Sequence, residues 1–559
     1  MKADSEHRKI KSPAKGLFIW CRLAELNCPL SITIAVYYHY TKAAGSYIIP
    51  NPQNISITHT QKRSSGFLLN ECALFQLSLR MYNEAVQRGH FMWNKDTIHA
   101  AVESQRAFFN EGKTLGVSWR IEQLRRLKIA VQTNEKKLTK ALHDDLGRSE
   151  TEAYLTDVGV VIAEINETIK GLKKWAKPET HFSGVACFPS LITKVYKMPY
   201  GVTLIISPFN FPILLTLGVL IASIAGGNTA LIKTSSKSVH CTKALKDLIA
   251  SAFPAEYVNV IDGGHEVADL CLEERFDKIF YTGSPKVGVH VMEKAARHLT
   301  PVALELGGET GNWCVVRRDA DLWDAARKIA FFKLCNSGQI CININQIAVA
   351  EEIADQFVMC LKEEFIRQIG EEPLLNEEYP HLINKAAYDK CEAEAKLYED
   401  RIMFGGKGDP QTLRFEPTII CPVEPDEPIV MHELFNPLLP IVTYRDSEID
   451  EMMKLIASRE HGLALYLFTS DMKWAKKVMS TQQYGGGCVN EVCVHLMVKG
   501  VPFNGTGHSG MGAYHGKWGF DEFTHPSTVL FGSTRFNLSL REHPYDDPIK
   551  MKLLKLFER

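Results

Sequence analysis

Between Val202 and Leu304 the chain alternates short β-branched and aliphatic runs with longer amphipathic ones, and no other feature restricts its fold so tightly. Val202-Thr203-Leu204-Ile205-Ile206-Ser207 reads as a buried strand, followed by an apolar helix from Pro212 to Ala225 that Gly226-Gly227 stops. The strand Thr229 to Lys233, a helix through Ala244, Leu248 and Ala252, and the strand Tyr257 to Ile261 come next. A helix near Glu266 to Glu274, the strand Lys278 to Tyr281, a helix from Lys286 to Arg297 and the strand Val302-Ala303-Leu304 complete the series. Strands separated by helices in this way predict a parallel, doubly wound sheet that binds ligands at the carboxyl ends of its strands.

Amphipathic helices precede the sheet. Ser118 is expected to cap one carrying Ile121, Leu124, Leu127 and Val131, and Gly147 to stop a second holding Leu138, Ala141 and Leu142. A third places Tyr154, Val158, Val161, Ile165, Ile169 and Leu172 on one stripe. Gly307-Gly308 then breaks the alternation, and a second α/β series begins with a helix through Ala325, Ile329 and Phe332 and runs to about residue 490. The expected class is therefore α/β, with two doubly wound domains and a ligand cleft between them.

Composition narrows the partners. Lys and Arg number 64 against 65 Asp and Glu, so no basic field attracts nucleic acid. The 14 cysteines form no CxxC pair and no CxxC with HxxxH, so neither a disulfide scaffold nor a metal site is expected, and reduced thiols in a cytoplasmic protein fit better. Residues 1–91 show no sustained period and are read as an extension of doubtful order. Their most apolar stretch, Leu17 to Tyr38, is broken by Arg22, Glu25, Asn27 and Pro29, short of the ~20 residues a transmembrane helix needs. Arg88-Gly89 can be encoded as a ribosome-binding sequence ahead of Met92, so two readings stand: a start at Met92, or a genuine extension.

Four segments carry chemistry. Asn336-Ser337-Gly338-Gln339-Ile340-Cys341 sets a cysteine after a turn-forming glycine, where it is either a packing thiol or a nucleophile projecting from a loop. Glu305-Leu306-Gly307-Gly308 ends the last strand of the first series, with its carboxylate either at the mouth of the sheet or simply solvated. Ser207-Pro208-Phe209-Asn210-Phe211-Pro212 is either an ordinary strand-to-helix turn or a rigid loop whose Asn210 amide donates to an oxyanion. Thr282-Gly283-Ser284-Pro285-Lys286-Val287-Gly288 opens a helix whose free N–H groups form an anion site, although it is not GxGxxG.

In this order, and with Glu433-Leu434-Phe435-Asn436-Pro437, these motifs resemble those of the aldehyde dehydrogenase superfamily from about residue 97 to 535. The tail from Pro502 to Lys517, with Gly510-Met511-Gly512-Ala513-Tyr514-His515-Gly516, resembles the class 3, or fatty aldehyde dehydrogenase, branch. The resemblance implies a cofactor-binding Rossmann-like domain (92–306, with a bridging hairpin at about 180–200), a catalytic domain (307–490) and a C-terminal bridging segment and tail (491–559). It implies NAD(P)-dependent oxidation of an aldehyde to a carboxylic acid. Cys341 would form a thiohemiacetal and then a thioester, the Asn210 amide and the Cys341 N–H would hold the oxyanion, and Glu305 would activate water. For NAD or NADP it implies Lys233 and Ser236 at the adenosine ribose, Gly283 and Ser284 at the pyrophosphate, and Glu433 and Phe435 at the nicotinamide ribose and ring, with Gly288 and Leu306 also in the cofactor site. A homodimer bridged by the segment Phe182 to Met198 and the tail is implied as well.

The chain departs from the family at several positions. Ser236 stands where a Glu would repel a 2'-phosphate, so NADP is expected to be tolerated. Phe209 replaces a usual Trp, Glu309 a frequent Lys, and Asn436 and Asn504 common glycines. The interval from Glu305 to Cys341 is slightly longer than usual, and Ile342 to Gln346 is unlike the class 3 continuation. Two other readings are an acylating relative that passes its thioester to coenzyme A, which Glu305 argues against, and a noncatalytic binding member, which Cys341, Glu305 and Asn210 together argue against.

Overall fold

The structure is a computed structural model that describes residues 93–557, except 185–186, 188–189, 537–541 and 545. The readings made on residues 1–91, including the Leu17 to Tyr38 run and the start at Met92, lie outside the described residues.

A six-stranded sheet is built from β1 (Val202–Ile206), β2 (Thr229–Lys233), β3 (Val258–Ile261), β4 (Lys278–Gly283) and β5 (Val302–Leu306). They lie in the order β5-β4-β1-β2-β3 and are all parallel. Helices bury both faces, which is why these strands read as continuous apolar runs with no polar alternation. The helix Leu214–Gly226 is buried at every position, and this explains its lack of a polar face. Running antiparallel on β5, Gly510–Met511 forms the sixth strand and sets Gly510 opposite Glu305.

The second sheet has seven strands. In chain order they are β6 (Asn312–Val316), β7 (Ile344–Ala350), β8 (Ile402–Phe404), β9 (Thr418–Ile420), β10 (Leu438–Tyr444), β11 (Ala464–Phe468) and β12 (Gly486–Val489). Their order in space is β8-β9-β10-β7-β6-β11-β12, with only β8 antiparallel. The turn at Gly307–Gly311 joins β5 to β6, so residues at the end of the first sheet meet loops of the second. A third, antiparallel sheet joins Glu179–Phe182, Ile192–Pro199 and Thr524–Phe531.

Two local expectations need correction. The helix holding Ile121, Leu124, Leu127 and Val131 spans Val117–Thr133 and has Gly116 at its N-cap, so Ser118 lies inside its first turn and caps nothing. Tyr154 is 43% exposed because Tyr154–Val158 is a π-helical turn. The extra residue in that turn rotates Tyr154 off the stripe that Val158, Val161, Ile165 and Leu172 keep fully buried. Among the described residues no helix is long and apolar enough to cross a membrane. The described residues end on a short helix, Pro548–Phe557.

Candidate active site

Cys341 follows a backbone that L-residues rarely adopt. Asn336, Ser337 and Gly338 have φ of 50°, 51° and 77°, a left-handed run that must be over-determined by its surroundings. At Gly338 a Cβ would sit 2.2 Å from the Asn436 carbonyl, so the turn needs glycine for space as well as conformation. Asn336 donates from Nδ2 to the carbonyls of Asn210 and Gln339, both at 3.0 Å. Its Oδ1 accepts from Arg148 Nε at 3.0 Å, and its N–H donates to Glu152 Oε1 at 2.8 Å. Beyond the turn, Asn312 Nδ2 donates to the carbonyls of Cys341 and Asn343, both at 2.8 Å. The loop is thereby clamped at both ends.

Arg148 is fully buried. It donates to Asp157 Oδ2 at 2.5 Å and to the Asn210 carbonyl, while Asp157 Oδ1 accepts from Leu214 N at 2.6 Å. Burial pushes the Asp157 carboxyl up, opposed by the guanidinium and by these donors. Sequence reasoning missed Arg148, Glu152, Asp157 and Asn312. Each acts through partners distant in the chain, and no local motif marks them.

Asn210 is buried, and its Nδ2 donates to the Gln339 carbonyl at 3.1 Å, which leaves its second amide hydrogen for another acceptor. Among the described residues the Cys341 N–H meets no protein acceptor. Glu305, near the end of β5, is 3% exposed, and both of its carboxylate oxygens lack a hydrogen-bond partner. Burial raises it to about 7, although the nearby thiol of Cys341 pulls the other way. Burial likewise pushes the Cys341 thiol well above its ordinary value, with the negative charge of Glu305 adding to the effect. Base and thiol are thus coupled: a proton leaving sulfur has an acceptor beside it.

Glu433 and Phe435 stand on the other side. The Glu433 carboxylate rests against Gly307, where a Cβ would meet it at 2.1 Å. Burial raises it to about 8, with Glu305 adding. Phe435, at φ 55°, packs edge-on against Phe209 with ring centroids 5.9 Å apart, and Lys237 Nζ lies 4.8 Å from the Phe209 ring centre. Neither Asn436 nor Asn504 adopts positive φ, so the left-handed residue of that segment is Phe435.

The remaining expected residues line the strand ends of the first sheet. Lys233 is buried at the end of β2 and donates to the carbonyls of Thr234 and Gly263 at 2.7 and 2.8 Å, with burial lowering its pKa. Ser236 is exposed three residues on. Ser284 is the N-cap of the helix Pro285–Ala296, and its hydroxyl leaves the first-turn N–H groups uncapped. A Cβ on Gly288 would lie 3.1 Å from Leu306, so glycine there lets this helix settle against the end of β5. An uncapped helix terminus at the carboxyl end of a parallel strand, with Leu306 and Glu433 packed against Gly288 and Gly307, has the chemistry that a dinucleotide requires. Glu309 is exposed and pairs with His508 at 3.4 Å.

A cavity of about 740 Å³ opens beside the cysteine. Its walls are mainly apolar, with Val160, Leu215, Phe332, Ile340, Leu496 and Phe503 among them, and Cys341 forms part of its lining. Arg327, Lys328 and Arg367 line it too, and each is paired with a carboxylate.

Comparison with known proteins places the chain among relatives of one family. A sequence profile of the Aldehyde dehydrogenase family matches residues 83–529. The chain is 37% identical over 454 residues to the 4,4'-diaponeurosporen-aldehyde dehydrogenase of Staphylococcus aureus, covering 81% of this chain and 97% of that protein. It is 36% identical to the aldehyde dehydrogenase, dimeric NADP-preferring, of Mus musculus, covering 81% and 99%. The solved structure of the substrate-bound state of Staphylococcus aureus AldH superposes with a TM-score of 0.79 at 35% identity, covering 84% of this chain and all of that one.

Proposed function

This chain belongs to the aldehyde dehydrogenase family, and on that premise we propose that Cys341 is the nucleophile through which it oxidises its substrate. It is an NAD(P)-dependent oxidoreductase acting on aldehydes. One observation carries the residue-level reading: Cys341 lines an apolar cavity, and the buried Glu305 carboxylate lies beside its thiol.

The thiol passes its proton to Glu305 as sulfur adds to the aldehyde carbon. The free amide hydrogen of Asn210 and the Cys341 N–H donate to the oxyanion of the resulting thiohemiacetal. The bound dinucleotide supplies the hydride acceptor. Glu305 gives that proton up to solvent before hydrolysis; ionised again, it takes a proton from water as the water attacks the Cys341 thioester, the C–S bond breaks with sulfur recovering the proton, and the carboxylic acid leaves. Lys233 and Ser236 would hold the adenosine ribose, Gly283, Ser284 and Gly288 the pyrophosphate, and Leu306, Glu433 and Phe435 the nicotinamide end.

The apolar cavity supports long, apolar aldehydes as substrates, in keeping with the relative named for 4,4'-diaponeurosporen aldehyde. We divide the chain into a cofactor domain (92–306), a catalytic domain (307–490) and a C-terminal bridging segment (491–559). A homodimer through the third sheet is supported by exposed Phe182, Ile192, Leu530 and Phe531 and by the dimeric mouse relative. A cytoplasmic location is supported by eleven described cysteines that are all free thiols.

The deciding experiment is Cys341→Ala, assayed by NAD(P)H formation with an aldehyde panel and checked for folding. Loss of activity in a folded variant is expected; retained activity would overturn the assignment. Coenzyme A is expected to leave the wild-type rate unchanged, because Glu305 at the cysteine provides for water.

A further inference from the structure

Tyr514 is 2% exposed, and its Oη has no hydrogen-bond partner. A buried phenol usually finds one, so the orphan points to a ligand or water. It lines the same cavity as Cys341. Its position follows from the chain path. Gly510–Met511 pairs with β5 at Glu305 and Leu304, and the chain then brings Tyr514 over Phe280 of β4, with ring centroids 5.2 Å apart. Phe503, paired with Tyr514 across a short antiparallel ladder, meets its ring edge-on at 5.6 Å.

The turn behind it is anchored and strained. His515 has φ 78° and stacks on Tyr514 with centroids 4.2 Å apart. Glu164 receives the Gly516 N–H at 2.7 Å and lies 3.4 Å from His515 Nδ1. A left-handed histidine is held in place here by two contacts to another helix, so the phenol is presented with little freedom.

Three buried polar atoms therefore lie around one thiol with no hydrogen bond to any protein group but that thiol: both carboxylate oxygens of Glu305, and Tyr514 Oη. Buried polar atoms in this state are the ordinary hosts of a bound water with about three hydrogen bonds. We propose that Tyr514 positions the water that hydrolyses the Cys341 thioester. The water donates one hydrogen to Glu305 and the other to Tyr514 Oη, which leaves a lone pair for the thioester carbon. As the C–O bond forms, Glu305 takes the water proton; as the C–S bond breaks, the sulfur leaves with its electron pair and recovers that proton. Burial, with Glu305 and Cys341 adding, pushes the phenol far upward, so Tyr514 stays protonated and acts by placement rather than as a base.

The proposal rests on the thioester reading above, and its test separates the two. Tyr514→Phe keeps the ring and removes only the hydroxyl, and its melting temperature confirms folding. Its kcat is expected to fall about a hundredfold, with the KM for aldehyde falling alongside. Rapid mixing is expected to give one equivalent of NAD(P)H per site before the slow phase. Hydroxylamine attacks thioesters unaided; mixed in after the burst, so that it does not capture the aldehyde as an oxime, it is expected to rescue the slow phase and release a hydroxamate. An unchanged kcat overturns the role of Tyr514, as does a lowered kcat with no burst and no rescue. A Tyr514→Phe variant that shows the burst yet yields no hydroxamate overturns the thioester reading instead.

Discussion

Arg148 Nε donates to Asn336 Oδ1 at 3.0 Å and so joins two positions 188 residues apart in the chain. Through this contact a fully buried charge holds the first residue of the left-handed run before Cys341. Each such strained residue costs of order 1–3 kcal/mol, so the turn persists only while its neighbours hold it.

Arg148→Met is accordingly expected to destabilise the fold by about 3–5 kcal/mol, because Asp157 is left buried without its partner. Urea denaturation measures this. Arg148→Met with Asp157→Leu removes both charges and should recover most of the lost stability while kcat stays low, since Asn336 still lacks its donor. A double variant as unstable as the single one would show that the charge pair is not the source.

Glu305 sets a pH dependence whose sign follows from burial. Unfolded, it titrates near 4.5; folded, at about 7. Below 4.5 it is protonated in both states, and its native environment is fully tolerated. As pH rises toward 7 the unfolded chain loses the proton first, so the native state loses stability, and above 7 the loss is complete. Glu305→Gln removes this penalty. Its gain in melting temperature over wild type is expected to be larger at pH 8 than at pH 5, while aldehyde turnover, which needs the ionised base, should be lost. In the wild type, kcat should climb through about pH 7.

The parallel alternation from Val202 to Leu304 could be read directly because each strand is buried on both faces and each helix is long enough to show its ends. Cys341, Glu305 and Phe435 could be found because motif order marks them. Arg148 could not, since nothing near it in the chain predicts an arginine with zero exposure; its partners arrive only on folding. Tyr154 was misread for a related reason: a helical stripe assumes 3.6 residues per turn, and the π-turn breaks that count. Ser118 had the right chemistry for a cap, but the N-cap falls two residues earlier, at Gly116.

Cofactor choice should follow from Ser236, which is exposed and uncharged just past the end of β2. A carboxylate there would repel a 2'-phosphate, whereas serine with Lys237 beside it does not. NADP is expected to support kcat/KM within about a hundredfold of NAD. Ser236→Glu should lower kcat/KM for NADP about tenfold or more and leave NAD nearly unchanged. Parallel titrations with both cofactors check this, and a wild-type preference for NAD beyond a hundredfold refutes it.

Chain-length preference should reside in the cavity wall away from the thiol. Met497 lines the cavity yet is 51% exposed, so a charge there is tolerated by the fold. Met497→Asp places a carboxylate where a long aldehyde would lie, and each methylene kept from apolar contact forfeits about 0.8 kcal/mol. A short aldehyde spans only the region near Cys341 and never reaches the substitution. The KM for a long-chain aldehyde is therefore expected to rise about tenfold or more, equivalent to two such methylenes, with the values for a short aldehyde unchanged. An unchanged KM for the long-chain aldehyde would mean that the chain leaves the enzyme by another route.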